Sequence, residues 1–356
     1  MINVTKTYLP PFEEYTNILK RAWDKAWLTN NGELLQELEH KLKCYLNVDN
    51  FLFCSNGTVV LQMALKALGI TKEVITTPFS YVATTNAILW EGCKPIFVDI
   101  REDSLCIDET KIEAAITNDT EAILATHVYG LPCNIEAIEA LAKKYNLKVI
   151  YDAAHAFGCM YRGKSLLNYG DVSTCSFHAT KLFHTVEGGG IIVNDNVLNE
   201  KLFLYRSFGH IGDDYYCDGI NAKNSEFHAA MGLAVLPYIH QIIEDRKRIS
   251  LQYDSILPSF LIRPFTNESD FEYNYAYYPV IFEKEEQLLR ARKALFDAKI
   301  NTRRYFYPSL NNLPHVSNIS QVCSISEDIS KKVLSLPLFT GFDSVDYVIN
   351  TIKGSL

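Results

Sequence analysis

No long apolar run, no block of basic residues and no internal repeat occurs in this sequence of 356 residues. Because no run approaches the ~20 apolar residues of a membrane helix, a bilayer-spanning segment is excluded. The formal net charge of -8, without any Lys/Arg-rich block, argues against binding to nucleic acid. Residues 1–6 lack the apolar segment of a secretory signal. We therefore expect a cytoplasmic protein that binds neither membranes nor nucleic acid.

Three motifs of common enzyme sites are also missing. Neither His-x-x-x-His nor Cys-x-x-Cys is present, so the sequence predicts no metal site. The Gly-x-Ser-x-Gly elbow of serine hydrolases is absent as well. The nine cysteines are odd in number and lie mostly within apolar stretches, as Cys54, Cys93 and Cys175 do. They are expected to be buried, reduced thiols rather than a disulfide framework.

The pattern that is present is an alternation of strands and helices. Hydrophobic residues make up 48% of the chain and charged residues 21%, as in ordinary globular proteins. Two amphipathic helices, 12–23 and 34–46, come first. Apolar runs of strand length then alternate with helical patterns, which predicts an α/β fold with a mostly parallel sheet and helices on both faces. The predicted strands span residues 51–54, 74–78, 95–99, 122–126, 147–151 and 171–177.

The last third of the chain has a different pattern. A polar loop is expected at 210–219, and from about residue 250 a strand at 277–282 is followed by helices at 285–298 and 326–334. The length suits one large domain and a smaller one. We expect a large ligand-binding domain over residues 1–248 and a small α+β domain over residues 249–356.

A carboxylate and a lysine each follow a predicted strand. Asp152 ends one apolar run, and Lys181 comes shortly after the next one, flanked by Ser176 and Thr180. Open α/β sheets bind ligands beyond the carboxyl ends of their strands. Pyridoxal phosphate (PLP) chemistry needs a lysine amine for a Schiff base and a carboxylate facing the pyridinium nitrogen. Taken singly, the aspartate suits a helix cap and the lysine a solvated surface; together they predict a PLP site.

The turn Ser55-Asn56-Gly57-Thr58 connects a predicted strand to a predicted helix. The start of a helix offers free backbone N–H groups and the positive end of its dipole, which together bind phosphate. The alternative is that Ser55 or Asn56 only caps the helix. The turn is therefore a candidate phosphate site that sequence alone leaves open.

Four motifs in this order give the chain a family resemblance. They are Asp-Ala-Ala-His-Ala-Phe-Gly at 152–158, Ser-Phe-His-Ala-Thr-Lys at 176–181, Glu-Gly-Gly-Gly at 187–190 and Gly-Ile-Asn at 219–221. With them the chain resembles, over nearly its whole length, the DegT/DnrJ/EryC1/StrS sugar aminotransferases, PLP enzymes of fold type I. One departure is His155, where many members have Gln.

The resemblance implies a role for each candidate residue. Lys181 would hold PLP covalently and move a proton between substrate and cofactor, while Asp152 would keep the ring nitrogen protonated. Tyr81 would stack on the ring, and His155 would lie beside the ring or its 3-oxygen. The implied phosphate contacts are Gly57, Thr58, Ser176 and, from the partner subunit of a homodimer with shared sites, Asn221. From sequence alone, Asn221 would be a turn or cap residue.

Two arginines and an aromatic residue mark the candidate substrate site. Arg303, Arg304 and Tyr307 lie in one short segment, which suits a nucleotide diphosphate or a carboxylate. An ordinary surface pair of arginines is the alternative. The resemblance implies amino transfer from L-glutamate to a nucleotide-linked keto-sugar, and this segment looks most like members that aminate C4 of dTDP-4-keto-6-deoxyglucose. The product would enter O-antigen, lipopolysaccharide or another glycan.

Other activities within the same family stay open. A 3-aminotransferase, an aminotransferase for UDP-sugars and a non-catalytic regulator with the PLP fold are the alternatives. A PLP-dependent sugar dehydratase has His where the family has its lysine, and Lys181 argues against that activity.

Overall fold

The computed structural model describes residues 1–266, 269–316 and 321–356. Its α-helices are α1 (Phe12–Asp24), α2 (Glu33–Leu46), α3 (Gly57–Ala67), α4 (Val82–Trp90), α5 (Glu109–Ala115), α6 (Ile135–Tyr145), α7 (Asn196–Arg206), α8 (Glu226–Val235), α9 (Ile239–Ile256), α10 (Glu285–Asp297), α11 (Ser324–Lys332) and α12 (Val345–Lys353). Its strands are β1 (Asn50–Cys54), β2 (Glu73–Thr76), β3 (Lys94–Phe97), β4 (Thr120–Thr126), β5 (Lys148–Asp152), β6 (Met160–Tyr161), β7 (Lys164–Ser165), β8 (Val172–Ser176), β9 (Gly189–Val193), β10 (His210–Ile211), β11 (Asp214–Tyr215), β12 (Phe271–Glu272), β13 (Tyr278–Ile281) and β14 (Val333–Leu336).

The large sheet confirms the predicted mostly parallel arrangement. Its strand order is β1-β9-β8-β5-β4-β2-β3, and β9 runs antiparallel to both of its neighbours. The other pairs are parallel, so β1, β2, β4, β5 and β8 all end at the same edge of the sheet. The residues that follow these strands therefore meet at one place.

Both faces of the sheet are covered, because side chains alternate along each strand. On β1, Phe51 and Phe53 join one buried cluster, while Leu52 and Cys54 join the other. Helices α3 and α7 cover the second face, and α2, α6 and α8 contribute to the first cluster. Each fully buried Leu or Phe stabilises the fold by about 1.5–3 kcal/mol. The sheet is thus a rigid platform for the loops at its edge.

The C-terminal part has its own core, built from the β13–β14 pair, α10, α12 and the end of α9. Helix α9 belongs to both parts, since Ile242 packs in the first cluster and Tyr253 in the C-terminal one. The predicted boundary at residue 248 falls inside this helix, and the division into two domains stays a prediction. Residues 267–268 and 317–320 of the predicted small domain lie outside the described residues.

One predicted helix ends earlier than expected. The helical pattern at 326–334 corresponds to α11, which stops at Lys332, while Val333 and Leu334 begin strand β14. These two residues pair with Ile281 and Val280 of β13 and are completely buried. Pairing with a distant strand overrides the local pattern here. The expected loop at 210–219 also contains the short β10–β11 hairpin.

Large apolar side chains remain exposed at several places, among them α1 and the β10–β11 hairpin. On α1, Phe12 and Trp23 are 77% and 64% exposed, and on the β10–β11 hairpin Tyr215 is 78% exposed. Among the described residues, no helix has both the length and the apolar character that crossing a bilayer would require.

Candidate active site

Asp152 ends β5 and is almost completely buried. Its carboxylate accepts a hydrogen bond from the Thr84 hydroxyl at 2.7 Å and another from the Ala154 N–H at 3.1 Å. Burial raises the pKa of Asp152, whereas both hydrogen bonds and the nearby Lys181 oppose that rise. The group is therefore a buried acceptor whose charged form depends on the donors around it.

The Thr84 hydroxyl is the end of a chain of buried hydroxyls. Thr126 donates to Ser80 at 3.1 Å, and Ser80 lies 2.7 Å from Thr84. Because the single hydroxyl proton of Thr84 goes to Asp152, Ser80 is the donor in its bond with Thr84. All bonds in the chain thus point toward the carboxylate. Sequence reasoning missed Thr84; its signal was a hydroxyl in the helix that follows the end of β2.

Lys181 lies in the loop after β8, where its amine meets a tyrosine. Its Nζ donates to the Tyr277 hydroxyl at 3.2 Å and lies 5.8 Å from the ring centroid. Lys181 and Tyr277 line a small cavity of about 10 Å³ together with His155 and Ser176. The structure thus brings three predicted residues together. Tyr277, expected only as part of a strand, is a site residue that the sequence analysis missed.

His155 is buried, and burial holds its pKa well below the usual value, so the ring is neutral. Its Nδ1 accepts the backbone N–H of Tyr129 at 3.1 Å, which leaves the proton on Nε2. The ring is stacked parallel to Phe306 at 5.6 Å. Asn274 fixes the backbone by donating to the His155 carbonyl at 2.8 Å. His155 therefore presents an Nε2–H donor.

In the turn before α3, Asn56 caps the helix, which was one of the two alternatives for this turn. The Asn56 side chain accepts the N–H groups of Thr58 and Val59 at 3.0 and 2.9 Å. A Cβ at Gly57 would lie 2.8 Å from the Cβ of Ser176, so only glycine allows Ser176 to approach the start of this helix. The positive end of the α3 dipole and the Thr58 and Ser176 side chains remain for an anion.

Two further predicted cofactor residues lie at the surface. Tyr81 precedes α4 at the carboxyl end of β2, and its ring is exposed. Asn221 is also exposed, and its backbone pairs with Ser207. Neither residue lines the small cavity of Lys181. Their predicted contacts with the cofactor stay predictions.

The two predicted substrate arginines have different surroundings. Arg303 is exposed and lines a cavity of about 450 Å³ with Arg292 and Thr180. Arg304 has a 9% exposed side chain that bonds to Glu285 at 2.9 Å. Its guanidinium also lies 3.6 Å from the ring centroid of Tyr307. Arg303 is therefore available to a ligand, whereas Arg304 is engaged in a cation–π contact with Tyr307.

These residues fit PLP. The cofactor requires a lysine amine, and Lys181 presents one beside the carboxylate of Asp152. The neutral ring of His155 offers a donor for an oxygen of the ring. The close approach of Gly57 and Ser176 forms a cradle that any side chain at position 57 would fill.

Several known proteins are similar to this chain in sequence or in structure. A dTDP-4-amino-4,6-dideoxy-D-glucose transaminase from Shigella dysenteriae is 40% identical over 99% of this chain and 98% of its own length. A GDP-perosamine synthase from Escherichia coli O157:H7 is 35% identical over 96% of this chain and 94% of its own. The crystal structure of DesI with its TDP-sugar product superposes with a TM-score of 0.93 at 29% identity, over 99% of this chain and 91% of that one.

The family expectation is thereby confirmed. Residues 12–353 match the DegT/DnrJ/EryC1/StrS aminotransferase family. The fold and the cofactor implied by the resemblance agree with this match. The chain belongs to the DegT/DnrJ/EryC1/StrS family and is a PLP-dependent aminotransferase.

Proposed function

We propose that this aminotransferase moves the amino group of L-glutamate to C4 of dTDP-4-keto-6-deoxy-D-glucose, giving dTDP-4-amino-4,6-dideoxy-D-glucose. The 40% identity to a transaminase of that name, over nearly the full length of both chains, carries the choice of sugar. Lys181 lines the small cavity with His155, and its charge acts on Asp152, which supports the chemistry. The product would serve O-antigen, lipopolysaccharide or another surface glycan.

In this proposal three residues of the site each have one task. PLP, when bound, accepts the electron pair released at the α-carbon of the amino donor. Lys181 Nζ would take the proton from that carbon and pass it to the cofactor. Asp152 keeps a positive charge on the ring nitrogen, for which its carboxylate must be ionised. His155 Nε2–H donates to an oxygen of the ring.

The larger cavity is the proposed site of the nucleotide diphosphate. It lies next to the small one, because Thr180 lines both. Arg292 and Arg303 supply two positive charges, which suits two adjacent phosphates. The cavity of about 450 Å³ is within the range of small-molecule sites. Arg304, predicted from the sequence as a further contact, is engaged with Glu285 and would support Tyr307 instead.

We propose a homodimer in which Asn221 of one subunit reaches the cofactor phosphate of the other. The exposed aromatic residues Phe12, Trp23 and Tyr215 support a contact with a second copy, because large exposed apolar surfaces mark interfaces. The proposed location is the cytoplasm, where nucleotide sugars are made; the nine free cysteines suit that reducing compartment.

Amination of a panel of nucleotide keto-sugars with L-glutamate tests the function. We expect turnover with dTDP-4-keto-6-deoxy-D-glucose, formation of 2-oxoglutarate, and a product whose NMR spectrum places the amine at C4. An amine at C3, or turnover only with a UDP- or GDP-sugar, would contradict the proposed substrate. Absence of turnover with every amino donor would contradict the reaction itself.

A further inference from the structure

The contact between Lys181 and Tyr277 has no part in the function as stated. We propose that Tyr277 is a positioning residue that holds the Lys181 amine during the part of the cycle in which it is not bonded to the cofactor. The inference rests on the proposed role of Lys181. Its basis is the 3.2 Å hydrogen bond from Lys181 Nζ to the Tyr277 hydroxyl.

The hydroxyl of Tyr277 is held at a fixed point. The preceding residue, Ala276, is anchored through both of its backbone groups: its carbonyl accepts from the buried Arg246 at 3.1 Å, and its N–H donates to the Asn274 side chain at 3.0 Å. The Tyr273 hydroxyl donates to the Tyr129 carbonyl at 3.0 Å and lies 3.4 Å from the Tyr277 carbonyl. A side chain whose backbone is held by the buried Arg246 and Asn274 can in turn place the lysine.

The ring of Tyr277 packs against three other aromatic rings. It lies 4.7 Å from the His155 ring, 5.8 Å from the Tyr129 ring and 5.8 Å from the Tyr305 ring, which meets it edge-on. These contacts use the carbon skeleton and leave the hydroxyl to Lys181. Replacing Tyr277 with Phe should therefore keep the packing and remove only the partner of the amine.

A hydroxyl suits this position better than a carboxylate would. Lys181 must change between the charged and the neutral form when it moves a proton. A tyrosine hydroxyl accepts a hydrogen bond from the ammonium and donates one to the neutral amine. A carboxylate would stabilise the ammonium alone and oppose the loss of its proton. Tyr277 can therefore hold Lys181 in both states of the reaction.

Chemical labelling of cofactor-free protein tests the contact directly. Each lysine is acylated at one mildly alkaline pH, and the rate at every site is read by mass spectrometry of peptides. A hydrogen bond from an ammonium is stronger than one to a neutral amine, so its loss favours the reactive amine. In Tyr277→Phe we expect Lys181 to react about threefold to tenfold faster, with other lysines unchanged.

Tyr273→Phe is the matched control. It removes a neighbouring hydroxyl that bonds only to the carbonyls of Tyr129 and Tyr277, without touching Lys181. Its Lys181 should react at the wild-type rate, even if its melting temperature falls. An unchanged Lys181 rate in Tyr277→Phe, or the same acceleration in Tyr273→Phe, would overturn the inference.

Kinetics of the loaded enzyme provide a second readout. In Tyr277→Phe we expect kcat to fall about tenfold, because a small displacement of a proton-transfer group slows the step, while KM for glutamate stays within about twofold. The isotope effect with α-deuterated glutamate should rise, since proton transfer becomes more rate-limiting. A loss of kcat without a larger isotope effect contradicts the positioning role.

Borohydride reduction of wild-type protein separates this inference from the proposed function. If the cofactor is trapped on another lysine, the role of Lys181 fails whatever the Tyr277 variants do. If it is trapped on Lys181 and the labelling rates do not change, only the role of Tyr277 fails.

Discussion

Removing the Thr84 hydroxyl should weaken the enzyme through Asp152. The substitution Thr84→Val keeps the shape of a fully buried side chain but deletes the 2.7 Å hydrogen bond to the carboxylate, together with the bond that Thr84 accepts from Ser80. Asp152 retains the bond from the Ala154 N–H. Because Thr84 is one of the groups that lower the pKa of Asp152, its loss should raise that pKa further. Less of the carboxylate is then ionised to hold the ring nitrogen protonated.

The size of the effect follows from the kind of bond. A hydrogen bond to a charged group contributes about 1.5–3 kcal/mol. If that whole amount is lost in the transition state, kcat/KM falls about 10-fold to 150-fold. The measurement is kcat/KM for glutamate in steady-state kinetics. A value within about twofold of wild type would refute the argument that the hydroxyl chain sustains the charge of Asp152.

The next residue in α4 provides the control. Thr85 is buried too, but its hydroxyl has no hydrogen-bond partner within the ranges that the structure describes. Thr85→Val should therefore leave kcat/KM unchanged and leave stability equal or slightly higher. Equal losses in both variants would mean that packing of α4, not the bond to Asp152, is what matters.

The same bond should affect stability in a pH-dependent way. Burial raises the pKa of Asp152 in the folded protein above its unfolded value, so the folded state binds the extra proton. The stability from this group is present below the unfolded pKa and is lost as pH rises through the folded pKa. Thr84→Val should thus destabilise the cofactor-free protein most at neutral pH. In denaturant unfolding, the difference from wild type should shrink in acid.

Three more outcomes test the dimer and the substrate site. Asn221→Asp places a negative charge against the proposed phosphate and should weaken cofactor binding. Mixing this variant with the inactive Lys181→Ala variant should restore about a quarter of wild-type activity if subunits exchange statistically. Mixed dimers without activity would show that Asn221 serves its own chain. Arg303→Ala should raise KM for the nucleotide sugar about tenfold or more without changing KM for glutamate. Arg304→Ala should instead lower the melting temperature, because it leaves Glu285 unpaired; the opposite assignment of effects would exchange the roles of the two arginines.

The sequence was sufficient to predict those candidate site residues whose position depends on adjacent residues of the chain. Asp152 and Lys181 each follow a strand, and adjacent parallel strands β5 and β8 necessarily bring their carboxyl ends together. The order of the strands could not be read from the sequence, because the antiparallel β9 is inserted between β1 and β8. The local pattern indicates which residues reach the edge of the sheet, whereas the family was identified from the four motifs that resemble it.

Contacts between distant segments were not predictable. Thr84 is 68 residues from Asp152, and Tyr277 is 96 residues from Lys181. Both residue types are common in any chain, so neither stands out before the fold brings it to the site. The same holds for Val333, whose strand character comes from pairing with Ile281.

Two adjacent residues of the same type can point in different directions, and the sequence alone does not show this. Arg303 forms a β-bridge with Ser335, so its segment is extended, and consecutive side chains of an extended segment point to opposite sides. Arg303 therefore faces the cavity, while Arg304 turns back to Glu285. The sequence shows two adjacent arginines; the direction of each depends on which strand its backbone joins.

Asp152 and Lys181 each bond to a hydroxyl, but the direction of the hydrogen bond differs between them. The hydrogen bonds of the hydroxyl chain that ends at Thr84 have one fixed direction, because each hydroxyl proton is already donated and the last one points at Asp152. Such a chain favours the ionised carboxylate and nothing else. The hydroxyl of Tyr277 accepts from Lys181 and keeps its own proton free to donate. In the proposed reaction Asp152 keeps one charge throughout, whereas Lys181 changes its charge in every cycle. The direction of the hydrogen bonds around each group matches that requirement.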